Sequence, residues 1–227
     1  MGKSGHSAES RRFLAVIADV QGSRDIPDRA AFQRRLLRTL KRLNRRFRGE
    51  RLPADFRVTA GDEFQGLLTN PADLVDVTAE LADELHPVRL VFGAGWGHLA
   101  TDLVADVAAL DGPCFHAARR SVSEAARRGR WVQVEGFGDV EDEAVSAFFL
   151  LIGALREGWT ATQTKYARAA RGRLQKDVAE QFGVSPSVIS ESLKSARFDA
   201  VATGERALRR LMAQFAGMAE SARASAE

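Results

Sequence analysis

Three carboxylates and one glycine carry the clearest chemistry in this chain. Asp62 and Glu63 lie in Arg57 to Leu68, RVTAGDEFQGLL, which reads as strand, tight turn, strand. Asp19 closes the apolar run of Ala15 to Arg24, AVIADVQGSR, and Gly22 breaks it. If those strands are neighbours, Asp19 and Asp62 reach one divalent cation. Mg²⁺ or Mn²⁺ carrying a nucleotide takes hard oxygen ligands from one or two carboxylates, and the rest from phosphates and water. Gly22 lets the backbone approach a phosphate, with Ser23 and Arg24 as donors. Arg24 and Arg119 supply further positive charge. The hairpin alone has a second reading, because Asp beside Gly is ordinary turn chemistry. Its coincidence with Asp19 favours a site.

The elements that must position these groups follow from hydrophobic periodicity. Phe13 to Val20 reads as a buried strand. A helix is expected from Asp28 to about Arg48, with an apolar stripe through Ala31, Phe32, Leu36, Leu37, Leu40, Leu43 and Phe47 and an arginine-rich opposite face. That face is either solvated or in contact with nucleic acid. Phe56 to Thr59 and Phe64 to Leu68 form the hairpin strands. Pro71 opens a helix to Leu85, with Asn70 as its expected N-cap. Val88 to Ala94 is a strand whose end is marked by Gly93, Gly95 and Gly97. Leu99 to Leu110 reads equally as strand or helix. A helix over Ala117 to Arg127, a strand over Trp131 to Val134 and a helix over Asp142 to Arg156 complete this part. The order implies an α+β fold with a ferredoxin-like palm, an antiparallel sheet with helices on one face.

A second constellation lies downstream. Leu174 to Phe182 and Pro186 to Ala196 read as two helices joined at Gly183, with Ser185 as N-cap and Pro186 at the first helical position. Small and apolar residues fall where two crossing helices need them, at Val178, Ala179, Val184 and Ile189. This is a helix-turn-helix signature, and its second helix exposes Ser185, Ser187, Ser190, Glu191 and Lys194. Lys165, Arg168, Arg171, Arg173, Lys176 and Arg197 supply the basic flank around it. The alternative is a helical hairpin used only for packing. A helix over Gln163 to Ala170 precedes the pair and one over Glu205 to Ala219 follows. The expected organisation is a disordered tail over 1–12, a palm domain over 13–157, an all-α helix-turn-helix domain over 158–220 and a frayed tail over 221–227.

Composition bounds these readings. The chain has 227 residues, 45% of them hydrophobic, enough for a packed core. Its 33 basic and 30 acidic residues leave a net charge of +3, which permits a nucleic-acid partner without requiring one. The single cysteine, Cys114, excludes an intrachain disulfide and argues against a cysteine zinc site. The four histidines show no ligand spacing. No apolar run approaches the ~20 residues that cross a bilayer, and the polar opening segment lacks a signal core. The expectation is a cytoplasmic protein with no membrane partner.

Gly61-Asp62-Glu63-Phe64 resembles the Gly-Asp/Glu-Glu-Phe turn of diguanylate cyclases, and Asp19-Val20-Gln21-Gly22-Ser23 resembles a strand end of class III nucleotide cyclases. Val91 to Gly97 and Ala117-Ala118-Arg119 are similar to their glycine-bearing strand and late helix. The chain most resembles the SatD family, which pairs a cyclase-like domain with a helix-turn-helix. The resemblance implies that Asp19 and Asp62 hold the metal, that Glu63 is a third carboxylate at the catalytic position, and that Arg119 stabilises phosphate charge. It also shows departures. Phe115 stands where class III cyclases have Asn, Val58 where they have a base-selecting Lys, and Ala60 where diguanylate cyclases have the first Gly. Losing polar groups of that kind costs orders of magnitude in rate.

Three functions are therefore open. The leading one is a DNA-binding regulator, expected as a homodimer, whose palm binds a metal and a nucleotide. The second is a metal-dependent nucleotidyl transferase or cyclase acting on nucleoside triphosphates. The third is a scaffold with neither activity.

Overall fold

The structure is a computed structural model and describes residues 11–224, with side chains through residue 218. The expected N-terminal tail lies outside the described residues except for 11 and 12. Five strands form one mixed sheet: β1 (Phe13–Val20), β2 (Ala54–Ala60), β3 (Glu63–Leu68), β4 (Leu90–Gly97) and β5 (Val132–Glu135). Their order is β2-β3-β1-β4-β5. β1 is central and pairs antiparallel with β3 and β4, whereas β5 runs parallel to β4.

The expectation of a purely antiparallel sheet with helices on one face is corrected. Successive side chains of a strand point to opposite faces. Leu14, Val16, Ala18 and Val20 pack with α1 (Arg29–Phe47), α2 (Asp73–Leu85) and the C-terminal helices. Phe13, Ala15 and Ile17 pack instead with α3 (Pro113–Arg128), through Cys114, Phe115, Ala118 and Val122. The central strand reads as a continuous apolar run because both its faces are covered.

The glycines of β4 take on a different meaning. Gly93 and Gly95 lie inside the strand, under α3. A Cβ on Gly93 would stand 2.1 Å from the backbone N of Val122, and one on Gly95 2.1 Å from the carbonyl O of Cys114. Those contacts are shorter than any real approach, so glycine is what lets α3 lie directly on the sheet.

Other boundaries shift for local reasons. The helix after Pro71 begins at Asp73, and Asn70 accepts from the N–H of Ala72 in the turn before it. Leu99 to Leu110 is neither strand nor full helix; it is a loop with a short 3₁₀ turn, Val107–Ala109. After α4 (Asp139–Glu157) come α5 (Ala161–Ala170), α6 (Gln175–Phe182), α7 (Pro186–Ser195) and α8 (Phe198–Ala224). The last helix starts well before Glu205 and stays helical to Ala224, past the expected start of fraying. One hydrophobic cluster runs from the sheet through α2 and α4 into α5 to α8.

A buried ion cluster ties these helices together. Asp83 of α2 pairs with Arg156 of α4 at 2.6 Å and with Arg171, which caps α5. Arg171 also holds Glu205 of α8 at 2.8 Å. Arg156 lies over the rings of Trp131 and Trp159, at 5.1 and 4.8 Å from their centroids. Burial works against the Arg171 charge, but Asp83 and Glu205 more than offset it and hold its pKa above the usual value.

Candidate functional site

The hairpin forms as its sequence demands. Ala60 and Glu63 pair across a two-residue connection, and Gly61 takes φ 60, the pattern of a type II′ turn with glycine first. Ala18 pairs with Phe64, so one step further Asp19 stands beside Glu63 at the same end of the sheet. Strand parity then decides the faces. Asp19 follows Ile17 and Ala15 onto the α3 side, and Glu63 shares that side with Gln65 and Leu67. α3 lies across it and delivers Arg119, whose guanidinium pairs with Glu63 Oε2. Thr59 Oγ1 approaches Glu63 Oε1 at 3.4 Å. Asp62, at the tip, faces α1 instead, 3.9 Å from Arg29.

Electrostatics confirm that the three carboxylates sense one another. The Asp19 pKa is raised, first by burial and then by the charges of Asp62 and Glu63. Its backbone surroundings and a 2.7 Å hydrogen bond from Gln21 Nε2 only partly compensate. A cation would relieve this repulsion, and the donors are hard oxygens of the kind Mg²⁺ takes. The side chains are not gathered into a closed cage: among the described residues no group of three His, Cys, Asp or Glu could hold a metal as it stands.

The expected phosphate segment lies next to this site. Gly22 takes φ 64 and precedes a 3₁₀ turn, Ser23–Asp25. Ser23, Arg29, Val58, Gly61 and Asp62 line a pocket of about 40 Å³. Small-molecule sites usually offer about 300 Å³ or more, so a nucleotide would lie on an open surface here rather than in a preformed cavity. Arg24 is exposed, and the carboxylate of Asp25 stands near Gly22. Phe115 of α3 is buried in the core on that side of the sheet and Val58 packs against the other core, so both positions make apolar contacts.

Gln21 and Arg29 were not foreseen. Gln21 is two residues from Asp19, where its amide was legible as a partner. Arg29 needed the docking of α1 to reach Asp62, and no local pattern announces that.

The downstream helices match their expected ends. Ser185 caps α7 by accepting from Val188 N at 3.4 Å, and its hydroxyl meets that of Ser187 at 2.8 Å. Gly183 ends α6 in the left-handed region. Val178, Ala179 and Ile189 are buried between the helices. Ser185, Ser187, Ser190, Glu191, Lys194, Lys176 and Arg197 are all exposed. Ser190, Lys194 and Arg197 line a cleft of about 1110 Å³, as do Arg42 and Arg46 of α1. The remaining four lie outside it. That cleft is remote from the carboxylates.

No helix among the described residues is long and apolar enough to cross a membrane. No curated protein is significantly similar to the chain. Among solved structures, a bacterial light-regulated adenylyl cyclase superposes with a TM-score of 0.43 and 15% identity over 55% of this chain and 75% of that one. A second structure of a bacterial light-regulated adenylyl cyclase gives 0.42 and 13%, and the chain spans only 43% of it. At that level neither likeness says anything about activity. The SatD family model matches residues 13–206, which takes in the sheet, the carboxylates and both helices around Gly183, and the chain belongs to the SatD family.

Proposed function

We propose that this chain is a DNA-binding regulator in which a ferredoxin-like, cyclase-type palm is coupled to a helix-turn-helix formed by α6 and α7. The observation that carries the reading is the α6–Gly183–α7 geometry. A buried crossing at Val178, Ala179 and Ile189 leaves a capped second helix with serines, Glu191 and Lys194 exposed. Such a helix enters the major groove by its N-terminal residues. Exposed Val188 adds an apolar contact suited to a thymine methyl. Association as a homodimer would match a two-fold site.

The palm then acts as the sensor. Asp19 and Asp62 would hold Mg²⁺ or Mn²⁺, with Glu63 beside them, and the metal would neutralise the phosphates of a nucleotide. Gly22, Ser23 and Arg24 would meet those phosphates. Arg119 is held by Glu63, so a cation drawing Glu63 away would release Arg119 toward them. The raised Asp19 pKa supports this: burial raises it first, and the neighbouring charges of Asp62 and Glu63 add to it.

The test is fluorescence anisotropy with labelled genomic duplex fragments, with and without nucleotide and Mg²⁺. Salt-dependent binding that Ser187→Ala/Lys194→Ala weakens is expected. No binding at low ionic strength would refute the regulator.

A second reading, metal-dependent nucleotidyl transfer, is favoured by the same three carboxylates, one of which, Glu63, pairs with Arg119. Incubation with the four nucleoside triphosphates and Mg²⁺ or Mn²⁺ would yield a product that Asp62→Asn abolishes. No turnover removes this reading and leaves the sensor intact.

A further inference from the structure

α1 carries more positive charge than its packing requires. Between Arg29 and Arg48 the sequence has nine basic residues and no acidic one. The structure divides them by face. Arg29 approaches Asp62, Arg35 donates to the Leu85 carbonyl at 2.9 Å, and Arg42 and Arg46 pair with acids of α2. These four are accounted for by neighbours within the fold. Arg34, Arg38, Lys41, Arg45 and Arg48 are exposed, with no hydrogen bond or ion pair among the described residues. They recur every three or four positions and so form a row along one side of the helix. Like charges at that spacing weaken a helix, so the row is not there for stability.

The row borders a groove of about 550 Å³ between α1 and the edge strand β2. Asp55 is the one acid lining it, and Arg57 on the same strand is held by Asp106 at 3.3 Å. An edge strand usually offers backbone groups to an added strand. Here the Asn44 amide occupies both the N–H and the carbonyl of Phe56, at 2.9 and 3.0 Å. Strand addition is blocked at the middle of the groove, and charge is left as its means of recognition.

We propose that this row binds the sugar–phosphate backbone of the same DNA duplex that α7 reads. The inference rests on the helix-turn-helix reading and adds a second contact surface to it. Continuity argues for the shared duplex: Arg42 and Arg46 of the same helix line one cleft with Ser190, Lys194 and Arg197. The row spans about 21 Å at about 1.5 Å per residue. Evenly spaced cations position a duplex without reading its sequence.

The test compares the full chain with Lys41→Ala/Arg45→Ala/Arg48→Ala and with Ser187→Ala/Lys194→Ala, by anisotropy on genomic and random-sequence duplexes at several salt concentrations. The α1 variant should weaken on both duplexes alike, and its log K against log salt slope should fall by about one unit for each phosphate it no longer neutralises. Arg45→Lys, which keeps the charge, should bind as the parent does. All three α1 side chains are exposed, and circular dichroism checks that the fold is intact. Unchanged affinity and slope in the α1 variant, while the α7 variant loses binding, overturns this proposal alone. No duplex binding by the parent chain overturns both this proposal and the regulator. Binding that survives the α7 variant but not the α1 variant keeps the backbone contact and removes the α7 reading.

Discussion

Two clusters of charge in this protein invite comparison. At the end of the sheet, Asp19, Asp62 and Glu63 approach one another with Arg119 and Arg29 as partial counter-ions. Beneath α2, Asp83 and Glu205 are bracketed by Arg156 and Arg171, all largely buried. The sheet cluster is acidic and frustrated, and the Asp19 pKa rises. The helix cluster is balanced, and the Arg171 charge is reinforced. A closed, balanced cluster holds helices in place, whereas an open and unbalanced one asks for a ligand.

The largest expected effect breaks the balanced side. Asp83→Ala strands two arginines in the interior and should cost about 3–5 kcal/mol in urea denaturation. Any Mg²⁺-dependent stabilisation should survive in this variant, because the carboxylates of the sheet are untouched.

Gly95→Val tests whether the α3 seam serves the other cluster. The added side chain collides with Cys114 and Ala118. A loss of about 1–3 kcal/mol is expected from overpacking, together with weaker Mg²⁺ response because Arg119 moves with α3. Loss of stability with an unaltered Mg²⁺ response would separate the seam from the site.

Asp19→Asn should act with the opposite sign. The folded-state pKa of Asp19 lies above its ordinary 3.8, so the folded protein binds that proton more tightly than the unfolded chain. Ionised Asp19 therefore costs stability above the raised pKa. That cost fades as pH falls through it, and is gone below the unfolded value. Asp19→Asn should melt higher than the parent at neutral pH, with the gap closing in acid. If the proposed site binds Mg²⁺, millimolar Mg²⁺ should raise the Tm of the parent and not that of Asp19→Asn. A lower melting temperature at neutral pH would contradict the frustrated-site reading.

The smallest effect is expected at the surface. Arg120 pairs with Glu135 on the exposed side of α3, and Arg120→Ala should change stability by about 0–1 kcal/mol in thermal melts. A larger loss would make that pair part of the α3 seam.

What the sequence revealed and what it hid divide along the same line. β1, the Gly61-Asp62 hairpin and the Ser185 cap are set by neighbours a few residues apart, so local pattern was enough. Asp19 beside Asp62 and Glu63 was legible because strand ends and turns have few geometric options. The balanced cluster was invisible: Asp83 and Arg171 stand 88 residues apart, and Arg171, expected in the basic flank of the helix-turn-helix, pairs instead with Asp83 and Glu205. Gly93 and Gly95 were visible as glycines but misread as the end of a strand, since only the docked α3 explains the missing side chains. The two-sided covering of β1 was written in its unbroken apolar run, yet the helix that fills the second face could not be assigned from period alone.

Cys114 gives the α3 seam a chemical clock. Its thiol is fully buried against the sheet, and burial pushes its pKa up to about 12. Burial suppresses the reactive thiolate and shields the sulfur, so a thiol reagent labels the protein when α3 lifts away. The labelling rate of this single native cysteine therefore counts openings of the helix that carries Arg119, with no engineered probe.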